Sequence, residues 1–202
     1  MALTPPYRRR RSRAAIGVAC ASILWVPGLV RADGVFFQVD AARSTLVGTA
    51  SVGVGDLTFG AGVVDYEGGE AYRLSGTRRF DVLPTVATLK AGPSFGLVAE
   101  DGTDVDAEIG LRLVAERYVP VPFGGVFLLG EYDTIESAWF SLAQVSFAGP
   151  GVALEVSYGE SDSYAETSVA LAKRMGGRPF SLRLGYKFDA DEAFAGFSLN
   201  TF

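Results

Sequence analysis

The sequence predicts an all-β protein, an antiparallel up-and-down transmembrane β-barrel that follows a cleaved signal peptide. Three observations support this prediction: an apolar leader, long segments in which apolar and polar residues alternate, and turn clusters at regular spacing. In such a barrel the apolar side chains face lipid and the ionic side chains face the barrel axis. A secreted soluble β-sandwich, which buries its apolar face in a core and binds a ligand on its surface, is a minor alternative.

Residues 1–32 have the organisation of a secretory signal peptide. The segment MALTPPYRRRRSR carries five arginines and no acidic residue, and the apolar run AAIGVACASILWVPGLV follows it. Pro27 interrupts this run, which is also shorter than the roughly 20 residues that a membrane-spanning helix needs. Cleavage after Ala32 fits the small residues that signal peptidase prefers. We therefore expect export of the protein and a mature domain over residues 33–202.

Removal of the leader changes the charge of the chain. Residues 1–32 contain six arginines and no acidic residue, so 12 basic and 23 acidic side chains remain, a net charge of −11. This acidic balance disfavours nucleic acid as a partner. Cys20 lies within the leader, and the mature chain contains no cysteine. The exported domain is therefore expected to fold without disulfides.

Eleven turn clusters divide the mature chain into twelve predicted strands. These strands are about 9 to 15 residues long, and a tilted strand needs roughly 9 to 11 residues to cross a bilayer. Bacterial single-chain barrels have even strand numbers, which twelve satisfies and for which ten or eight are the alternatives. The clusters lie at residues 42–45, 54–56, 67–70, 81–84, 100–104, 119–122, 132–136, 148–151, 159–163, 174–179 and 189–192.

The alternation predicts which side chains face the barrel interior. In PFSLRLGYKFDADE, Leu182 and Leu184 share one face with other large apolar residues, while Arg183 and Lys187 lie on the other. Similar patterns recur in DVDAEIGLRLVAERY and GVALEVSYGE, whereas FGGVFLLGEY and SAWFSLAQVSF are apolar on both faces and receive no assignment. We interpret the inward ionic residues as a lumen network of paired charges, with permeation as the alternative role. Its predicted members are Asp106, Glu108, Arg112, Glu116, Glu155, Arg183 and Lys187.

Aromatic residues occur near most predicted strand ends. Tyr66, Tyr72, Tyr132 and Tyr164 are examples. Rings at these positions are typical of the two girdles that mark the edges of a membrane barrel. We therefore predict that these side chains lie on the outer surface.

A signal peptide, serial hairpins and a last strand, EAFAGFSLNTF, that closes on Phe202 resemble the outer-membrane β-barrel proteins of Gram-negative bacteria. The resemblance covers the mature chain and indicates no particular subfamily. It implies an outer-membrane location with contact to outer-membrane lipids and lipopolysaccharide. It also implies that the barrel-assembly machinery reads Phe202 as an assembly signal, although Asn200 stands where the family usually has a hydrophobic residue.

The chain contains no histidine, and the outer-membrane enzymes that this protein resembles as barrels depend on one. We therefore expect no enzymatic activity and no cofactor. The segment EDGTDVD has a trace of a calcium loop in Asp101, Asp104 and Asp106, but it lacks the closing glutamate, so no metal site is predicted. The expected function is a narrow cation-preferring channel or a structural envelope protein. The alternative is an accessory barrel for surface polysaccharide export or adhesion.

Overall fold

The computed structural model describes residues 32–82, 85–100 and 105–202, except the side chain of Glu100. The predicted signal peptide up to residue 31, and Asp101 and Asp104 of EDGTDVD, lie outside the described residues. Most of the described residues lie in strands. The strands are β1 (Gly34–Ala41), β2 (Leu46–Val54), β3 (Leu57–Tyr66), β4 (Gly69–Phe80), β5 (Thr88–Glu100), β6 (Val105–Val121), β7 (Gly124–Asp133), β8 (Trp139–Phe147), β9 (Val152–Glu160), β10 (Ala165–Arg174), β11 (Phe180–Lys187) and β12 (Glu192–Asn200).

The strands form one closed barrel in which each strand pairs with its neighbours in sequence and β1 pairs with β12. All pairs are antiparallel, so the predicted twelve-strand up-and-down barrel is confirmed and a sandwich of two sheets is excluded. Each turn between described strands overlaps one of the predicted turn clusters. Closure gives every strand a hydrogen-bonded partner strand on both sides.

The first and the last strand of the barrel start and finish at the same end, because the strand number is even. Asp33 N donates to Gly53 O at 2.9 Å, and Thr201 N donates to Val35 O at 2.9 Å. We call this end the terminal end (residues 32–34 and 200–202). The opposite end, which we call the loop end, contains the connections 42–45, 67–68, 134–138, 161–164 and 188–191.

The side chains of β11 show the inverted polarity of the barrel. Arg183 is 5% exposed and Lys187 4%, whereas Leu182 is 47% exposed and Leu184 64%. Large apolar residues are likewise exposed on the outward face of β6, where Ile109 is 85% exposed. Ionic groups therefore point inward and apolar groups outward, as the alternation predicted. Among the described residues, no helix is both long and apolar enough to cross a membrane.

We expect single cysteines on neighbouring positions of β11 to react oppositely with a lipid-soluble maleimide. Leu182→Cys should be labelled in vesicles, because its side chain points outward, and Ser181→Cys should not, because its side chain points inward. Residues 33–202 contain no cysteine that could interfere. Equal labelling of the two variants, measured by mass spectrometry, would contradict the inside-out arrangement. Ser181 is preferred to Arg183 here because Arg183 carries buried ion pairs.

The segments without a predicted orientation, β7 and β8, place apolar side chains on both faces. Leu128 and Tyr132 are exposed on the outer surface, at 46% and 43%. Leu129 is opposite Leu142 in the β7–β8 register, on the inward face that also carries Glu131. This wall of the lumen is therefore partly apolar, and the sequence pattern alone gave no orientation because neither face was polar.

The aromatic prediction is correct for Tyr72 and Tyr132 and wrong for Tyr66 and Tyr164. Tyr72 is 38% and Tyr132 43% exposed on the outer surface. Tyr66 is only 8% exposed, because it continues the inward face of β3 and packs against the tilted ring of Tyr164 at a centroid distance of 5.1 Å. A position near a strand end does not distinguish an outward ring from one that lies over the lumen.

Phe202 lies at the seam where the barrel closes. The register of β12 is continuous through Asn200, so no bulge brings Phe202 into phase with the outward Phe197 and Leu199. The Phe202 ring instead covers two inward glycines, since a Cβ at Gly34 would lie 2.3 Å from Phe202 Cδ1 and one at Gly53 2.9 Å from Cε1. Its role as an assembly signal stays a prediction.

Candidate functional site

The best-connected group in the lumen is a chain of side chains around Arg183. Arg183 Nε donates to Asp40 Oδ1 at 2.9 Å, and Arg183 Nη1 donates to Glu155 Oε2 at 2.6 Å. Gln38 Nε2 donates to Asp40 Oδ2, and Gln144 Nε2 donates to Glu155 Oε1, both at 2.8 Å. The guanidinium thus lies between two carboxylates, and each carboxylate is also bonded to an amide. We call these five residues the Arg183 network.

Small residues on the intervening strands make room for this network. Ala172 of β10 and Gly196 of β12 lie opposite Arg183 in the register. A Cβ at Gly196 would lie 2.1 Å from Asp40 Oδ1, so only glycine allows Asp40 to reach Arg183 here. The guanidinium is therefore held along the wall of the barrel by glycine and alanine on either side.

Lys187 lies nearer the loop end and contacts a different set of groups. Its Nζ donates to Thr45 Oγ1, and Thr45 Oγ1 donates to Glu192 Oε1 at 2.7 Å. Glu192 Oε2 also accepts a hydrogen bond from Ser44 N at 2.8 Å. These contacts fasten the β1–β2 and β11–β12 connections to each other. Lys187 is therefore not bonded directly to the Arg183 network.

A second buried charge group lies on β4, β5 and β7. Asp133, which is 2% exposed, accepts hydrogen bonds on Oδ1 from Ser94 Oγ at 2.8 Å and from Ile135 N at 3.0 Å. Arg73 lies between two carboxylates, with Nε 3.7 Å from Asp133 Oδ2 and Nη2 3.6 Å from Glu136 Oε2. These longer distances leave Arg73 Nε and Asp133 Oδ2 without a hydrogen bond to a described residue.

The β7–β8 connection folds into the barrel mouth at the loop end. Ile135 is 1% exposed, and its side chain packs against Gly110 and Gly96. The contact is close: a Cβ added at Gly110 would lie 2.7 Å from the Ile135 side chain, and a Cβ added at Gly96 would lie 3.1 Å from it. Glu136 and Ser137 have φ angles of 53° and 47°, and this left-handed backbone reverses the chain after Ile135. The two inward glycines of β5 and β6 therefore leave the space that the Ile135 side chain occupies. We call residues 134–138 the inner segment.

The inner segment is joined to the β9–β10 connection, which crosses the mouth. Ser163 Oγ donates to Glu136 Oε1 at 2.5 Å, and Asp162 N donates to Glu136 O at 3.0 Å. The next residue, Tyr164, packs against Tyr66, although β3 and β10 are separated by four strands on the shorter path around the barrel. Burial raises the pKa of Tyr164, and the charge of Glu166 raises it further, so the phenol stays neutral at physiological pH. Together these contacts narrow the loop end.

Two further ion pairs line the wall formed by β5, β6 and β7. Arg112 Nη2 lies 2.5 Å from Glu131 Oε2, and Lys90 Nζ lies 2.7 Å from Glu116 Oε1. The predicted lumen residues Arg112 and Glu116 are thus in ion pairs, but with partners that the sequence analysis did not include. Of the predicted members, the structure brings Glu155 and Arg183 into direct contact.

Asp106 and Glu108, the remaining predicted members, lie apart from these groups. They share the inward face of β6 with Arg112, but both are exposed. The ladder between β6 and β7 begins only at Arg112, so the β5–β6 hairpin projects beyond β7 at this point. The prediction of a lumen position for Asp106 and Glu108 is therefore corrected: strand alternation gave the face, but it did not reveal that the hairpin extends past its neighbour.

The arrangement of charges indicates what the interior can bind. Arg73 and Arg183 each lie between two carboxylates, so the charge around each guanidinium is acidic. Within the described part of the chain, no cluster of three or more His, Cys, Asp or Glu side chains is arranged to hold a metal ion. Both guanidinium groups are therefore compensated by carboxylates of the barrel interior.

The fold and the ionic interior define a class, the closed antiparallel barrels to which outer-membrane porins belong. Among solved structures the chain resembles a KdgM porin, with a TM-score of 0.52, 10% identity, and coverage of 82% of this chain and 98% of that one. A KdgM porin in complex with disordered oligogalacturonate aligns over the same shares with a TM-score of 0.45 and 9% identity. No protein-family model and no curated protein matches the sequence. The resemblance to the first of these structures shows the barrel fold alone.

Proposed function

We propose that this protein is an integral outer-membrane barrel that forms a narrow, cation-preferring channel and performs no catalysis. The observation that carries the proposal is the inverted polarity: buried Arg183 and Lys187 alternate with Leu182 and Leu184, which are about half exposed or more. In water, a closed barrel with this pattern would expose its outward apolar side chains, which is unfavourable. Insertion into lipid removes this apolar surface from water. Twelve strands lie between the eight that side chains fill and the 16 to 18 of wide pores.

The same proposal assigns the location and the partners. The predicted signal peptide supports export, and the outward apolar band supports contact with outer-membrane lipids. We place the terminal end in the periplasm and the loop end at the lipopolysaccharide leaflet, which is the orientation of bacterial barrels whose termini are periplasmic. Phe202, exposed at the terminal end, is available to the barrel-assembly machinery before the seam closes.

The charge of the interior also limits the solute. Oligogalacturonate, the ligand in one solved KdgM porin complex, is a polyanion. In this chain the guanidinium of Arg183 already contacts Asp40 and Glu155, and that of Arg73 lies beside Asp133 and Glu136. Because these cations are neutralised by carboxylates, we propose inorganic or small organic cations as the permeant class.

Purified protein in a planar bilayer is expected to give small currents whose reversal potential in a KCl gradient shows K⁺ preference. Glu131→Gln should lower this preference, because it removes a lumen carboxylate and leaves the charge of Arg112 uncompensated. Glu160→Gln is the matched control: Glu160 accepts hydrogen bonds from Trp139 and Tyr158 on the outer surface. Anion preference of the parent protein, or equal effects of the two variants, would contradict the proposal. Absence of current would favour a structural envelope protein.

A further inference from the structure

The outer wall of the barrel contains an apolar groove that crosses β6 to β10. Its floor is formed by small residues in register, Ala115 opposite Gly130 and Gly130 opposite Ser141. A Cβ at Gly130 would meet no atom within 4 Å, which shows that the space above the floor is open. The groove is therefore a depression between the larger side chains that border it.

Two ridges of larger side chains border the floor. On the side toward the loop end, Tyr132 and Trp139 are paired in the register. On the side toward the terminal end, Leu128 and Val156 flank Ala143, and they are 46% and 48% exposed. The Ser141 hydroxyl of the floor donates to Tyr158 O at 3.5 Å, and Thr167 of β10 adds one more hydroxyl to the lining. A ligand in the groove would therefore meet mainly apolar atoms.

The groove ends at a cation on β6. Arg117 follows the outward apolar residues Ile109 to Ala115 and lies opposite Leu128, close to the terminal end. Its Nη1 donates to Thr85 O and holds Thr85 at this corner, where Val86 and Ala87 form the end wall. No carboxylate among the described residues is in an ion pair with Arg117, and its other guanidinium N–H groups remain available.

We propose that this groove is a binding site for one glycerophospholipid of the leaflet at the terminal end, with its phosphate at Arg117 and one acyl chain along the floor. The proposal rests on the membrane location proposed above. Beyond the floor on β6 to β8, the groove continues past Tyr158 of β9, which lies opposite Ser141, to Thr167 of β10. Five adjacent strands at a spacing of about 4.8 Å give a path of roughly 19 Å, which suits an extended acyl chain. The guanidinium group of Arg117 can donate hydrogen bonds to a phosphate diester, and the apolar floor can pack against the acyl chain.

The test is native mass spectrometry of the detergent-purified, delipidated protein after addition of phosphatidylglycerol or phosphatidylethanolamine. We expect one phospholipid per chain, retained when the detergent is stripped in the gas phase. Gly130→Leu should lower the retained fraction several-fold, because its side chain fills the open space above the floor. Arg117→Gln should also lower it several-fold, because the phosphate loses its cation.

Two matched variants separate this site from general lipid contact. Ala195→Leu places the same leucine side chain as Gly130→Leu on an outward, exposed position of β12, and Arg78→Gln removes an exposed base of β4. Both should retain phospholipid like the parent protein. Equal retention by all variants would overturn the proposal, as would a mass that shows a second protein chain in place of lipid. The readout needs no current, and the cysteine labelling of β11 tests membrane insertion independently of it.

Discussion

Simultaneous replacement of Ile135 and Tyr164 by serine is expected to raise the single-channel conductance several-fold. Ile135 holds the inner segment against Gly96 and Gly110, and Tyr164 reaches across the mouth to Tyr66. Serine removes the apolar surface that keeps both connections inside the barrel, so they should move out toward water. Because the two connections are joined through Glu136, each single replacement should have a smaller effect than the pair.

The matched control for this prediction is Phe188→Ser. Phe188 lies in a connection of the loop end, is 54% exposed, and packs against Tyr186 on the outer surface. Replacing Phe188 by serine removes an apolar side chain that lies outside the barrel mouth, in contrast to Ile135 and Tyr164. Conductance should therefore not change. A gel-mobility shift on boiling must show that every variant is folded. Unchanged conductance in a folded double variant would mean that the inner segment and Tyr164 do not limit the current.

The barrel could be predicted from sequence because its two determinants are local. Alternation fixes which neighbours along a strand share a face, and Gly, Pro and Asp clusters fix where strands end. Strands such as β11, with Leu182 and Leu184 against Arg183 and Lys187, carry both signals. In β7 and β8 the apolar residues Leu129 and Leu142 point into the lumen, so the two faces look alike and only the neighbouring strands decide between them.

The interior network was harder to predict because its partners are distant in sequence. Arg183 was assigned to the lumen from its own strand, but the choice of Asp40 depends on the closure between β1 and β12 and on the space at Gly196. The position of the inner segment inside the barrel was even harder to predict from the sequence. In the sequence, Ile135 is an ordinary turn residue. Its burial depends on contact with Gly96 and Gly110, which lie on two other strands, and the positions of these glycines in the sequence do not predict that contact.

Replacement of Arg183 by methionine should destabilise the folded barrel by about 3 to 5 kcal/mol, the cost of breaking a buried ion pair by removing one partner. Methionine fills a similar volume, but it leaves the carboxylates of Asp40 and Glu155 buried and facing each other without a cation. The free energy of unfolding can be measured by urea titration in vesicles, with Trp139 as the fluorescent reporter. Arg78→Met, on an exposed outward position, is the control and should change it by less than about 0.5 kcal/mol.

A triple variant tests whether charge, and not shape, causes that loss. Adding Asp40→Asn and Glu155→Gln to Arg183→Met removes both uncompensated charges while Gln38 and Gln144 remain as hydrogen-bond partners. Most of the lost stability should return, since replacing a whole buried ion group by neutral residues costs far less than removing one member. If the triple variant is as unstable as the single one, packing of the guanidinium between Ala172 and Gly196, and not its charge, would be what holds this wall of the barrel together.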